Sequence, residues 1–328
     1  RRVALAAASL AGLVILSQTG IAPAWHQQML AEGVYLHPED FRGVPVRRVM
    51  TGTKLLYYRD GLNTTVSVHR QGDTTFLKVG GKTDASNGID MATQVLAAHI
   101  PLLLHRDPDA VLVIGLGSGV TLGAAGRHPV STLHVAELDA AVVEAARWFR
   151  EENDGVHDDP RTRIFVVDGR NFLLASPATY DVIISEPSNP WMAGVGYLFT
   201  REFYQLAKRR LAPDGILCQW LQLYQIFPQD VKMMLKTFHA EFPYVSVWSP
   251  LPGDLLLVGS RAPHPLDYAT LTHRMAQPKI RESLLRVRVD RPALLVQSFR
   301  LGTREVEQVT ADIEWLHHDD QPWLEFSA

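Results

Sequence analysis

Only one cysteine, Cys218, stands in the 328 residues, so no internal disulfide framework can form. It lies in the apolar run Gly215–Leu221 and reads as a buried strand residue rather than a nucleophile. Long basic blocks are missing and the formal net charge is -3, which argues against a nucleic-acid partner. Also missing are a phosphate-loop lysine with its neighbouring hydroxyl and a nucleophile elbow, which removes those two chemistries. The histidines lack metal-ligand spacing. In His317-His318-Asp319-Asp320 the residues are consecutive, and consecutive side chains rarely converge on one ion, so no metal is expected.

An uninterrupted apolar run of membrane-crossing length is absent too. Val3–Leu16 falls short of the ~20 residues a spanning helix needs, and Gln18, Thr19 and Pro23 interrupt its extension to Trp25. Three readings stay open for residues 1–25: a signal-type segment, the end of a transmembrane helix, or an amphipathic or buried helix. Arg1 and Arg2 before the apolar stretch, with Trp25 after it, favour a membrane-associated chain whose catalytic domain is cytoplasmic.

Residues 26–50, with Pro38 and Pro45, read as a linker. Within 51–85 the runs Leu55–Tyr58, Thr64–His69 and Thr74–Val79, separated by Asp60-Gly61 and Gln71-Gly72-Asp73, predict a small antiparallel β domain ended by Gly80-Gly81-Lys82. Asp90–His99 predicts a helix stopping before Pro101, with Ile100–Leu104 leading toward the main sheet. Over 86–260 strands and helices alternate. Strands are expected at 110–114, 132–136, 162–167, 181–185, 215–221, 243–248 and 254–258, the last two forming an antiparallel hairpin at one edge. Residues 261–328 read as a helical and irregular extension.

The organising stretch is Val111–Gly119, VLVIGLGSG. A buried strand runs into a turn with Gly115, Gly117 and Gly119 at alternate positions, and Val120–Gly126 looks like the start of a helix. Glycines let the backbone approach a ligand closely. The next strand ends in Glu137, where a ribose would have its two hydroxyls held. Together these predict a doubly wound α/β nucleoside-binding domain. Asp168-Gly169 follows the third strand. Asp168 suits an amine on a planar base and equally suits capping the helix starting near Arg170. Ser185-Glu186-Pro187-Ser188-Asn189-Pro190-Trp191 follows the fourth strand and is stiffened by two prolines. Partial burial of Glu186 would raise its pKa enough for it to take a proton from an amine. Asn189 offers a donor and an acceptor. Trp191, Met192, Tyr197 and Phe199 could wall a pocket. Lys82 and Asp84 lie near where an acceptor should enter, and Gln219 and Tyr224 follow the fifth strand where they could line the pocket, though packing explains each equally well. His99, on an apolar helix, reads as a core histidine.

Residues from about Tyr57 to Ser260 resemble the spermidine synthase (polyamine aminopropyltransferase) family, and more closely its membrane-fused bacterial branch. The carrying segments are Gly61–Val68, Gly81–Gln94, His99–Pro101, Ile114–Gly119, Val135–Leu138, Asp168–Leu173, Tyr180–Trp191 and Leu198–Tyr204, with Asp319–Phe326 resembling the end of that branch. The resemblance implies a Rossmann-like, seven-stranded S-adenosylmethionine-dependent transferase domain behind a small N-terminal antiparallel β domain. It implies aminopropyl transfer from decarboxylated S-adenosylmethionine to putrescine, a step of polyamine biosynthesis, and usually a homodimer. By that comparison Glu137 holds the ribose, Asp168 the adenine amine, and Glu186 matches the aspartate that deprotonates the amine. The sequence departs from the family at Ser118 and Asn189, where aspartates are usual. It departs again at Thr93 and Gln94, in place of a tyrosine and a histidine, and at Asp84, in place of a glutamine.

The expected site therefore has Glu186, Asn189 and Tyr197 as catalytic residues. Gly115, Gly117, Ser118, Gly119, Glu137, Leu138, Asp168, Gly169 and Asp84 would lie around the co-substrate, and Asp90, Gln94, Glu186, Trp191, Gln219 and Tyr224 around the amine. No tightly bound cofactor is expected. Ser118 in place of an acid would tolerate intact S-adenosylmethionine, so methyl or aminocarboxypropyl transfer to another nucleophile is a second reading. A non-catalytic nucleoside-binding domain is a third.

Overall fold

The computed structural model describes residues 26–33, 42–45, 48, 52–61, 64–192 and 194–327. It divides into two units, Arg1–Thr83 and Asp84–Ala328. In the first, β1 (Thr53–Asp60), β2 (Thr65–Gln71) and β3 (Thr74–Val79) form an antiparallel meander, with Val66, Val68 and Leu77 fully buried. The expected end at Gly80-Gly81-Lys82 is corrected: a fourth strand, β4 (Lys82–Ser86), joins the sheet beside β3. Gly80 and Gly81, at φ +59° and +83°, make the reversal. A Cβ on Gly81 would lie 2.4 Å from the Gly33 backbone, so the turn requires glycine twice over. Lys78 and Glu32 pair at 2.8 Å in the same unit.

Against the expectation of a membrane-associated chain, no helix among the described residues is long and apolar enough to cross a membrane. Residues 1–25, on which that expectation rested, lie outside the described residues.

The second unit is built on a sheet in the order β12 (Phe299–Gly302), β10 (Tyr244–Trp248), β11 (Asp254–Ser260), β9 (Leu211–Gln222), β8 (Tyr180–Ser185), β5 (Ala110–Ile114), β6 (Thr132–Glu137) and β7 (Thr162–Val166). β5 (Ala110–Ile114) runs parallel to β6 (Thr132–Glu137) and β8 (Tyr180–Ser185). β7 (Thr162–Val166) extends the parallel part on one side and β9 (Leu211–Gln222) on the other. Val111–Ile114 is buried throughout because helices cover both faces, which is why the strand is one unbroken apolar run. On one face Leu112, Ile114, Ile183, Leu217 and Leu221 share a core with Phe203, Tyr204, Met233 and Phe238.

Three expectations change here. The sheet has eight strands rather than seven, because β12 (Phe299–Gly302) pairs with β10 (Tyr244–Trp248). The antiparallel hairpin of β10 and β11 (Asp254–Ser260) is consequently not at the edge. The ring of Phe299 meets Trp248 edge-on at 5.3 Å, holding a strand too short and too polar to announce itself. The long helix at the start of this unit, α1 (Met91–Leu104), passes through Pro101 instead of stopping before it. A proline inside a helix costs about 3 kcal/mol. Burying Ile100, Leu102 and Leu103 returns roughly 1.5–3 kcal/mol each, so packing wins. His99 on this helix is a satisfied core histidine. Its ring nitrogens lie 2.8 Å from His128 Nε2 and 2.8 Å from Ser283 Oγ, and burial lowers its pKa to about 3.

Candidate active site at the strand carboxyl ends

The turn after β5 holds Gly115, Gly117 and Gly119 at φ +90°, +52° and +82°, left-handed backbone that any other residue would strain. A Cβ on Gly115 would lie 2.7 Å from the carbonyl oxygen of Glu186. Glycine there brings the nucleoside-type turn directly against the loop after β8, and Glu186 N–H donates to the Ile114 carbonyl at 2.8 Å. At the end of β6, the carboxylate of Glu137 is clamped at both oxygens. Leu116 N–H donates to Oε2 at 2.8 Å and Asp139 N–H to Oε1 at 3.0 Å. Burial raises its pKa and those N–H groups oppose the rise. A clamped carboxylate keeps lone pairs for two further donors. Beside it Leu138 is 52% exposed.

After β7, Asp168 caps α3 (Gly169–Ala175) by accepting Asn171 N–H at 2.8 Å. Gly169 serves packing: a Cβ there would lie 2.3 Å from Ile114 Cγ2. Arg170 is bound bidentately by Asp319 from the C-terminal segment, with Nη1 to Oδ1 at 2.8 Å. Asp168, Arg170, Asn171, Tyr197, Leu198 and Asp319 line one surface cavity. Tyr197, expected among the catalytic residues, is thus gathered with Asp168.

Glu186 is an inward-turned acid whose Oε1 meets the Thr121 hydroxyl at 2.5 Å, from the first turn of α2 (Val120–Gly126). Burial pushes its pKa up to about 8, against a lowering contribution from Thr121. On β9 the buried Cys218 thiol has its pKa raised by burial, and the Glu186 charge adds to that. Asn189 is fully buried, and its Oδ1 accepts the Tyr224 hydroxyl at 3.5 Å. Five polar atoms here are buried without a partner among the described residues: Ser185 Oγ, Asn189 Nδ2, Trp191 Nε1, Gln219 Oε1 and Gln222 Oε1. Native structures leave few such groups unpaired, so this concentration at the ends of β8 and β9 marks a place for polar ligand atoms or water.

The polar face of α1 completes the surroundings. Gln94 Nε2 donates to Asp90 Oδ2 at 2.9 Å and to the Ser86 carbonyl at 3.0 Å, and Gln94 Oε1 accepts the Ser118 hydroxyl at 2.5 Å. Ser118 is only 1% exposed, so its hydroxyl is committed to Gln94. Burial raises the Asp90 pKa, and Asp254 adds to the rise. Asp84 accepts the Ser188 hydroxyl at 2.9 Å, linking it to the loop after β8.

The spermine/spermidine synthase domain family matches residues 91–252. Spermidine synthase of Dictyostelium discoideum is 34% identical over 183 residues, covering 52% of this chain and 62% of that protein. Polyamine aminopropyltransferase of Thermotoga maritima is 36% identical over 140 residues, covering 40% of this chain and 47% of that one. Over residues 91–252 the chain is similar to the spermidine synthase/polyamine aminopropyltransferase family. It spans about half the length of the curated relatives it matches. Among solved structures, spermidine synthase in complex with the transition state analogue AdoDATO has a TM-score of 0.65 at 23% identity, covering 79% of this chain and 87% of that one. Spermidine synthase from Thermotoga maritima has a TM-score of 0.66 at 22% identity, covering 79% and 88%. At that identity the shared property is the architecture. None of these similarities separates a membrane-fused branch.

Two residues around the site escape the sequence. Asp254, the first residue of β11, accepts the Thr93 hydroxyl at 2.6 Å and Trp220 Nε1–H at 3.2 Å. Thr121 touches both Glu186 and α1. Neither sits in a local motif. Asp254 follows an ordinary Pro-Gly turn and Thr121 looks like any early helix residue, so only the tertiary pairing reveals them.

Proposed function

We propose that the chain transfers an aminopropyl group from decarboxylated S-adenosylmethionine to an amine such as putrescine, with Glu186 accepting the proton. The reading is carried by one observation. The glycine turn, the clamped Glu137, Asp168 and the high-pKa Glu186 occupy the carboxyl ends of neighbouring parallel strands β5, β6, β7 and β8. Glu137 holds the ribose hydroxyls, Asp168 takes the adenine amine, and exposed Leu138 lies against the base. Asp84 and the Gly117–Gly119 backbone border the sulfonium, and Ser118 shapes the turn from beneath. Asp90, Gln94, Trp191, Gln219 and Tyr224 surround the amine, with Asn189 orienting the reacting ends and Tyr197 kept beside Asp168 at the adenine end.

The chemistry needs alignment and a base. The amine nitrogen forms a bond to the sulfonium-activated carbon as the carbon–sulfur bond breaks, methylthioadenosine leaves with that electron pair, and the nitrogen's proton passes to Glu186. A carboxylate with pKa about 8 is matched to an amine near neutral pH far better than an ordinary glutamate. In this proposal the enzyme works as a homodimer.

Ser118 favours a second reading. With a neutral, already committed hydroxyl at this point of the turn, a donor that keeps its carboxylate meets no opposing acid there. Methyl or aminocarboxypropyl transfer from intact S-adenosylmethionine follows from that. Calorimetry with both donors, coupled to product analysis, separates the two. Aminopropyl transfer predicts tighter binding of the decarboxylated donor and methylthioadenosine release with putrescine. Binding of the carboxylated donor alone, with no methylthioadenosine, overturns it.

A further inference from the structure

Thr121 stands between two oxygens and owns one proton. Its Oγ1 lies 2.8 Å from the carbonyl oxygen of Gln94 on α1 and 2.5 Å from Glu186 Oε1. Its side chain is walled in at 2% exposure, so water does not take over either contact. A backbone carbonyl can only accept. The hydroxyl can therefore donate to the carbonyl or to an ionised Glu186, and it satisfies both contacts at once only when Glu186 itself carries a proton and donates into Thr121.

We infer that Thr121 is the proton-linked positioning residue of Glu186. With Glu186 ionised, the Thr121 hydroxyl turns to the carboxylate and leaves the Gln94 carbonyl. With Glu186 protonated, the order runs Glu186 O–H to Thr121 O–H to Gln94 carbonyl. The proton that arrives on Glu186 is thereby coupled to the link between α2 and α1, whose Gln94 side chain also holds Ser118 and Asp90. Other groups do not confuse the assignment. From β9 the neighbouring titratable side chain is Cys218, itself neutral through burial. The backbone of Gly115 fills the side nearest the loop. No lysine, arginine or histidine among the described residues bears on the Glu186 ionisation. The pairing of Thr121 with Glu186 stands on geometry, while its catalytic use rests on Glu186 being the proton acceptor proposed above.

The test reads the carboxyl directly. Infrared difference spectra of the full chain between pH 6 and 10 follow the protonated carboxyl band, assigned by its loss in Glu186→Gln. In the unaltered protein the midpoint is expected near 8. Thr121→Val, which keeps the shape and removes the hydroxyl, should move the midpoint up by ~1 pH unit, because a hydrogen bond to the charged form is lost. Thr121→Ser should restore it. An unchanged midpoint in Thr121→Val, or a Thr121→Ser variant that titrates like Thr121→Val, overturns the inference. The readout needs no turnover, so an inactive protein with a normal Thr121 response would sink the proposed function alone.

Discussion

Glu186 gains protons on folding, and that has a sign. Its pKa is about 8 in the fold against 4.5 for a free glutamate, so the folded state binds more protons than the unfolded chain across that window. Stability from this group is therefore complete below about 4.5 and is lost as pH rises toward 8. Glu186→Gln, which removes the titration, should raise Tm by a few degrees at pH 9 and leave it nearly unchanged at pH 5. Thermal melts at the two pH values check this, and an equal change at both contradicts the buried-acid assignment. The same residue shows how far sequence reasoning reaches. Its location after a buried strand, just ahead of Pro187 and Pro190, is enough to point to partial burial and a raised pKa. Its actual partner, Thr121, was invisible because the contact joins positions 65 apart through the fold.

Among the elements, the glycines divide into two kinds. Gly115, Gly117 and Gly119 are needed for their backbone angles, whereas Gly169 is needed for space, with Ile114 Cγ2 only 2.3 Å from where a Cβ would sit. Gly169→Ala should push α3 away from β5 and destabilise by about 1–3 kcal/mol, as overpacking in a close-packed core does. Urea unfolding measures it, and a change below about 0.5 kcal/mol would place the helix differently. The parallel strands β5, β6 and β8 were legible because burial on both faces writes them as apolar runs. β4 and β12, reading KTDAS and FRLG, were not, since neighbours rather than their own pattern hold them. Pro101 misleads for the reverse reason: a local breaker is overruled on a helix that is buried on all sides around it, from Thr93 to Leu103. Asp254 and Thr93 lie 161 positions apart, and no local signal joins them.

At the scale of the molecule, the site draws on one unit. Strand ends β5 to β8, the polar face of α1, the start of β11 and Asp319 near the C-terminus all belong to Asp84–Ala328. On the proposed function a donor that fastens to Glu137 and Asp168 ties several of these segments together and stabilises the fold by mass action. At a hundredfold excess over Kd the gain is about 2.7 kcal/mol. Thermal shift with decarboxylated S-adenosylmethionine should show it, and Glu137→Gln should lose most of it. A shift that survives Glu137→Gln unchanged would move the ribose elsewhere.

The central claim is that Glu186 takes the proton in an aminopropyl transfer, and one measurement tests it most directly. Decarboxylated S-adenosylmethionine and putrescine are incubated with the unaltered chain and with Glu186→Gln, and methylthioadenosine release is followed alongside donor affinity. Release by the unaltered chain, falling about 100-fold or more in Glu186→Gln while donor affinity is kept, is the predicted result. No release by the unaltered chain, or the same rate from both, contradicts it.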